Sequence, residues 1–153
     1  MRIGAGNGAK AGGQQGANGF AVKARAISKG EAEGEAMVST GAISFFGGVD
    51  PKTGIVIDKG HALEGKCISG KVLVFPRGKG STVGSYVLLQ LKKNNRAPCA
   101  IINEDAEPII AVGAIIARIP MVDKLENGAY ARIKDGMRVS VDGANGTAVI
   151  HSI

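Results

Sequence analysis

The stretch KVLVFPRGKGSTVGSYVLLQL, residues Lys71 to Leu91, decides the fold. It opens on a short apolar run, Val72–Phe75, and turns at Pro76-Arg77-Gly78-Lys79-Gly80. A helical pattern follows, with Val83, Val87, Leu88 and Leu91 on one face. Ser81 stands where a helix N-cap belongs. Gly78, Gly80 and Gly84 permit close backbone approach to a ligand. The positive end of the helix dipole and its unpaired N–H groups face whatever lies above Ser81. Arg77 and Lys79 add two full positive charges. The pattern describes an anion site with a hydroxyl in its middle. Ser81 is the candidate reactive group, and Arg77, Gly78, Lys79, Gly80 and Thr82 are the candidate binding residues. On spacing alone, a plain capping role for Ser81, worth about 1 kcal/mol, is the better supported reading.

Downstream, the helix is expected to end near Lys92-Lys93-Asn94-Asn95, with Pro98 as a stop. Cys99–Ile102 reads as a short buried strand. Pro108 opens a second helix over Ile109–Ala117 that is apolar almost all round, and Pro120-Met121-Val122 is a further strand. Strand, helix, strand, helix, strand at this spacing predicts a right-handed parallel βαβαβ unit.

Upstream, residues 1–19 hold seven glycines among alanine, glutamine and asparagine, a composition expected to stay disordered. From Phe20 to the end, residues 20–153, the chain reads as one domain. Ala21–Ser28 alternates, Lys29-Gly30 turns, and Glu31–Val38 continues, which predicts a β-hairpin. In Ile43–Asp50, Phe45 and Phe46 beside Gly47-Gly48 suit either a docking loop or the domain's own core. Ile55–Ile57 reads as a short strand, and His61 as a surface histidine. Met137–Val141, the turn Asp142–Gly146, and Thr147–Ile150 form a C-terminal hairpin. The fold class expected is α/β: a β/β/α domain with β layers from both chain ends around the central βαβαβ unit.

Net charge is +6, but four Phe, two Tyr and no Trp leave few platforms for stacking on bases. The positives are scattered, which favours a small anionic substrate or an acidic partner over nucleic acid. Cys67 and Cys99 are far apart, and His61 and His151 add no ligand spacing, so no metal site is expected in this chain. No apolar run approaches the ~20 residues of a membrane span, and no leader is visible, so a cytoplasmic protein is expected.

Four separated motifs carry a family resemblance. They are G-E-A-E-G-E-A at 30–36, I-S-F-F-G-G-V-D-P-x-T-G at 43–54, G-K-V-L-V-F-P-R-G-K-G-S-T-V-G-S-Y-V-L at 70–88, and A-I-I-N…P-I-I-A-V-G-A-I-I-A-x-I-P-M-V at 100–122. Together they resemble the small subunit of the aconitase-X family, over roughly residues 22–150. The resemblance implies a swivelling β/β/α domain working with a large subunit that carries a 4Fe–4S cluster. It implies that a serine of the small subunit is the catalytic base, and the G-K-G-S motif carries that role onto Ser81. Ser85 is then structural. Within the family the motifs look nearest to members that dehydrate (R)-5-phosphomevalonate to trans-anhydromevalonate 5-phosphate in an archaeal mevalonate pathway. A hydroxyproline dehydratase subunit of the same family and a non-enzymatic swivelling domain are the alternatives. A phosphohistidine carrier domain shares the fold, but its chemistry needs a histidine at the start of the second helix. Here that region reads E-D-A-E-P-I-I-A-V-G.

Overall fold

In a computed structural model, residues 19–151 are described. The Gly-rich segment 1–18, expected to be disordered, lies outside them. Gly19, the last residue of the segment expected to be disordered, pairs with His151.

The strands are β1 (Gly19–Lys23), β2 (Arg25–Ser28), β3 (Glu31–Val38), β4 (Val72–Phe75), β5 (Ala100–Asn103), β6 (Met121–Asp123), β7 (Arg138–Asp142) and β8 (Thr147–His151). Helix α1 spans Gly84–Lys93 and α2 spans Pro108–Ala117, and a 3-10 segment covers Glu126–Arg132. The strand order is β1-β8-β7-β3-β4-β5-β6-β2. Strands β3, β4, β5 and β6 run parallel, and the others are antiparallel to their neighbours. The expected βαβαβ unit is β4-α1-β5-α2-β6.

The sheet folds over along β3. Glu31–Glu35 pairs with β7, whereas Ala36–Val38 pairs with β4. Gly34 sits in the crossing: a Cβ there would lie 2.9 Å from Cys99 Sγ and 3.2 Å from the Gly70 carbonyl oxygen. The period of two then sorts the central strands into two cores. Leu73, Phe75, Ile101 and Met121 face the helices, with Leu88, Leu91, Ile110 and Ala114. Val72, Val74, Ala100, Ile102 and Val122 face the antiparallel layer, with Val139, Val141, Ala148 and Ile150. The result is three layers: antiparallel sheet, parallel sheet, helices.

The hairpin expected over 21–38 does not form. Its strands exist but pair elsewhere: β1 with β8, β2 with β6, β3 with β7 and β4. Alternation sets which face of a strand is buried, not which strand lies beside it. The Ala24 N–H donates to the Gly146 carbonyl at 2.7 Å and breaks the first run into two strands in different layers. Arg25 then grips Asp123 at the far edge, through Nε at 2.9 Å and Nη2 at 2.7 Å. Asp123 is fully buried and also accepts from the Ala106 N–H. Ile55–Ile57 forms only isolated bridges, to Val49 and Cys67, in place of the expected strand.

Candidate active site around Ser81

The loop between β4 and α1 is held on three sides. Glu104 and Asp105 donate their N–H groups to the Pro76 carbonyl at 3.1 and 3.3 Å. The Asn103 side-chain amide donates to the Phe75 carbonyl at 3.0 Å, just before the loop departs. Ile43 N–H donates to the Arg77 carbonyl and Lys79 N–H donates to the Ile43 carbonyl, both at 3.1 Å.

Two glycines let the loop lie close to the rest of the chain. A Cβ on Gly78 would stand 2.3 Å from Ile110 Cγ1 and 2.5 Å from Glu107 Oε1. Glu107 is itself fixed, because its carboxylate caps α2 by accepting from the Ile109 and Ile110 N–H groups at 2.7 and 3.0 Å. Gly80 has φ +87°, and a Cβ there would lie 2.6 Å from Ser44 Oγ. The close approach these two glycines allow is thus to α2 and to the segment at Ser44.

Ser81 and Thr82 emerge from this frame exposed, flanked by exposed Arg77, Lys79 and Gly80. Neither Arg77 nor Lys79 forms an ion pair among the described residues. Ser81 Oγ accepts the Val83 N–H at 3.1 Å, and the Ser81 carbonyl accepts the Gly84 N–H at 3.0 Å. Among the described residues the Ser81 hydroxyl accepts the Val83 bond and donates none. These bonds make a tight turn, so regular helix begins at Gly84, with Val83 as its flanking residue. Ser81 therefore caps the lead-in turn and not the helix proper, whose N-cap position falls two residues later at Val83 and not at Ser81 as expected. Val83, expected on the buried face, is 43% exposed because helical periodicity has not yet begun there.

Ser85 is different in kind. It is buried, and its hydroxyl donates to the Ile109 carbonyl at 2.8 Å, tying α1 to α2. Ser85→Ala is expected to cost about 1 kcal/mol of stability and to leave turnover intact, checked by melting and steady-state rates side by side. The two phenylalanines split: Phe45 is core and packs 6.0 Å from Phe75, whereas Phe46 is 54% exposed. His61 bridges its own loop, meeting the Ala42 carbonyl through Nε2 and the Leu63 N–H through Nδ1.

Two buried polar atoms near the loop escaped the sequence reading. Among the described residues, Asn103 Oδ1 and the Tyr130 hydroxyl find no hydrogen-bond partner. Burial pushes the Tyr130 phenol well above its usual range; Glu104 adds to that, and Arg77 opposes it. A lone asparagine closing the apolar strand Ala-Ile-Ile was the available signal for Asn103. Nothing in the sequence marked Tyr130.

Among the described residues no group of three or more His, Cys, Asp or Glu is placed to hold a metal. Cys67 is exposed and Cys99 half-buried on a different element, so the cysteines here do not fit an iron–sulfur cluster. No helix of the described residues is long and apolar enough to cross a membrane.

The family model for the aconitase X swivel domain matches residues 21–150, and the chain belongs to that family. It is 58% identical over 82% of its length to the phosphomevalonate dehydratase small subunit of Methanococcoides burtonii, covering 91% of that protein. It is 62% identical to the protein of the same name in Methanosarcina acetivorans, covering 82% of this chain and 87% of that one. Aconitase X of Thermococcus kodakaraensis, solved by crystallography in a holo-form, superimposes with a TM-score of 0.82 at 55% identity. That match covers 86% of this chain and 98% of that one.

Proposed function

We propose that this chain is the small subunit of a two-subunit hydro-lyase that converts (R)-5-phosphomevalonate to trans-anhydromevalonate 5-phosphate, with Ser81 as the base. The observation that carries the reading is exposed Ser81 on a loop whose Arg77 and Lys79 form no ion pair among the described residues, in a chain 52–62% identical to archaeal phosphomevalonate dehydratase small subunits. Elimination requires that a proton leave the carbon next to the carboxylate while hydroxide leaves the adjacent carbon. A serine hydroxyl takes that proton only if its alkoxide is stabilised. The Val83 N–H, already at 3.1 Å, is one such donor, and the positive end of α1 is a second source of stabilisation. Arg77 and Lys79 supply charge for the carboxylate or the phosphate, and Gly78, Gly80 and Thr82 shape the loop that presents them. Departure of hydroxide needs a Lewis acid, and the 4Fe–4S cluster of the large subunit would supply that chemistry.

A hydroxyproline substrate would need the same base but no site for a second anion. Arg77 and Lys79, which form no ion pair among the described residues, favour the phosphorylated substrate. Arg77→Ala and Lys79→Ala in the reconstituted complex are each expected to raise KM by about tenfold, roughly 1.4 kcal/mol of lost binding. Kinetics with 5-phosphomevalonate and with a hydroxyproline check this. Turnover of the hydroxyproline alone would transfer the assignment to the other branch of the family.

A further inference from the structure

The outer face of the helix layer is apolar and is not covered by any of the described residues. In α2, Val112, Ile115 and Ile116 recur at helical spacing, opposite the buried Ile110, Gly113, Ala114 and Ala117. Ile115 is 55% exposed. Tyr86 of α1 is 62% exposed, and Val83 and Phe46 are exposed where α1 begins. The two helices interlock tightly, since a Cβ on Gly113 would lie 2.6 Å from Leu88 Cδ1 and 3.1 Å from Ser85 Cα. The same face runs on to the Ser81 loop: Ile109 Cγ2 and the Phe46 nitrogen lie 3.4 and 3.8 Å from the Cβ position of Gly84. Contiguous exposed apolar surface of this kind marks an interaction site.

Charge identifies what covers it. From Pro76 to Asn103 and from Pro108 to Val122 there is no Asp or Glu, but there are six cations: Arg77, Lys79, Lys92, Lys93, Arg96 and Arg118. Lys92, Lys93 and Arg118 stand at the end of the helix layer away from Ser81, whereas Arg77 and Lys79 share the other end with exposed Glu104 and Asp105. An occupant with an apolar centre and carboxylates placed toward Lys92, Lys93 and Arg118 complements this face.

We infer that this helix face, from Phe46 and Val83 to Ile116, is the seat of the large subunit, and that the large subunit meets it with an acidic rim. The inference rests on the function proposed above, because Ser81 works on substrate held at the partner only if the surface continuous with it is covered by that partner. The test is titration of the small subunit with the large subunit from the same organism, at low and high salt. Ile115→Asp is expected to weaken association at least about 100-fold, in the range of interface hot spots. Lys93→Glu is expected to weaken it about tenfold, with the difference shrinking in high salt. Ala21→Asp, an exposed change on the opposite layer, is expected to bind like wild type. Melting curves of the free variants confirm that each folds. At saturating subunit concentration Ile115→Asp should restore turnover, which separates a docking defect from a chemical one. Unchanged affinity in both Ile115→Asp and Lys93→Glu would overturn the inference and spare the function. A free small subunit that forms dimers broken by Ile115→Asp would also overturn it, making a second copy the occupant. If the wild-type subunit fails to bind the large subunit, both readings fall.

Discussion

Ser81→Ala is expected to remove most of the turnover of the assembled enzyme, by about 10²–10⁴-fold, the usual contribution of a positioned general base. Its effect on the fold should be slight. The side chain is exposed and makes one intramolecular hydrogen bond, to the Val83 N–H, so the variant loses about 1 kcal/mol of stability at most. The two effects are separable because the frame of the loop does not pass through this hydroxyl. It passes through the Pro76, Phe75 and Ile43 contacts and through Gly78. Steady-state kinetics and melting of the same preparation read both quantities. A variant that keeps its rate while melting early would reduce Ser81 to a turn residue.

Gly78→Ala is expected to damage both quantities at once, without touching any reacting group. The added methyl would meet Ile110 Cγ1 at 2.3 Å and Glu107 Oε1 at 2.5 Å, and neither neighbour is free to yield. Ile110 is core, and Glu107 is bound to two N–H groups of α2. Overpacking of this kind costs roughly 1–3 kcal/mol. Relief comes only by moving the loop, and a displacement of about 1 Å at a catalytic group costs on the order of 10²-fold in rate. Turnover should therefore fall about 100-fold while Tm drops, measured on the assembled complex and the free subunit respectively. A Gly78→Ala enzyme with wild-type rate would mean that the loop is not positioned from α2.

The parts of the fold that were legible are those written in local periodicity. The runs Val72–Phe75 and Cys99–Ile102, and the apolar α2 opened by Pro108, announce the parallel unit, and the structure keeps all three, with the second strand one residue later at Ala100–Asn103. The end of α1 also obeys local chemistry, with Asn94 flanking it and Asn95 at φ 59°. Pairings that join distant segments were not legible. Arg25 opposite Asp123 and Glu31 opposite Asp142 depend on the whole chain, and no turn signal encodes them. The fate of Phe45 and Phe46 was undecidable from composition, since neighbouring residues point opposite ways and only packing chooses which is buried.

The site divides in the same manner. Ser81 between glycines and cations is a local signal, and it stands out in the sequence. The residues that hold its loop come from elsewhere: Asn103 from β5, Glu107 from the α2 cap, Ile43 from the segment after β3. Each has an ordinary reading by itself. Their shared task is visible only when the ends of β4 and β5 are placed side by side by the register Phe75 to Asn103.

The most direct measurement is a proton NMR time course of 5-phosphomevalonate with the purified two-subunit complex. The wild-type pair is expected to form trans-anhydromevalonate 5-phosphate, seen as a new vinylic proton, while the pair carrying Ser81→Ala forms almost none in the same time. Loss of no substrate in the wild-type sample, or equal product from both samples, would contradict the assignment of this chain as the base-bearing subunit of a phosphomevalonate dehydratase.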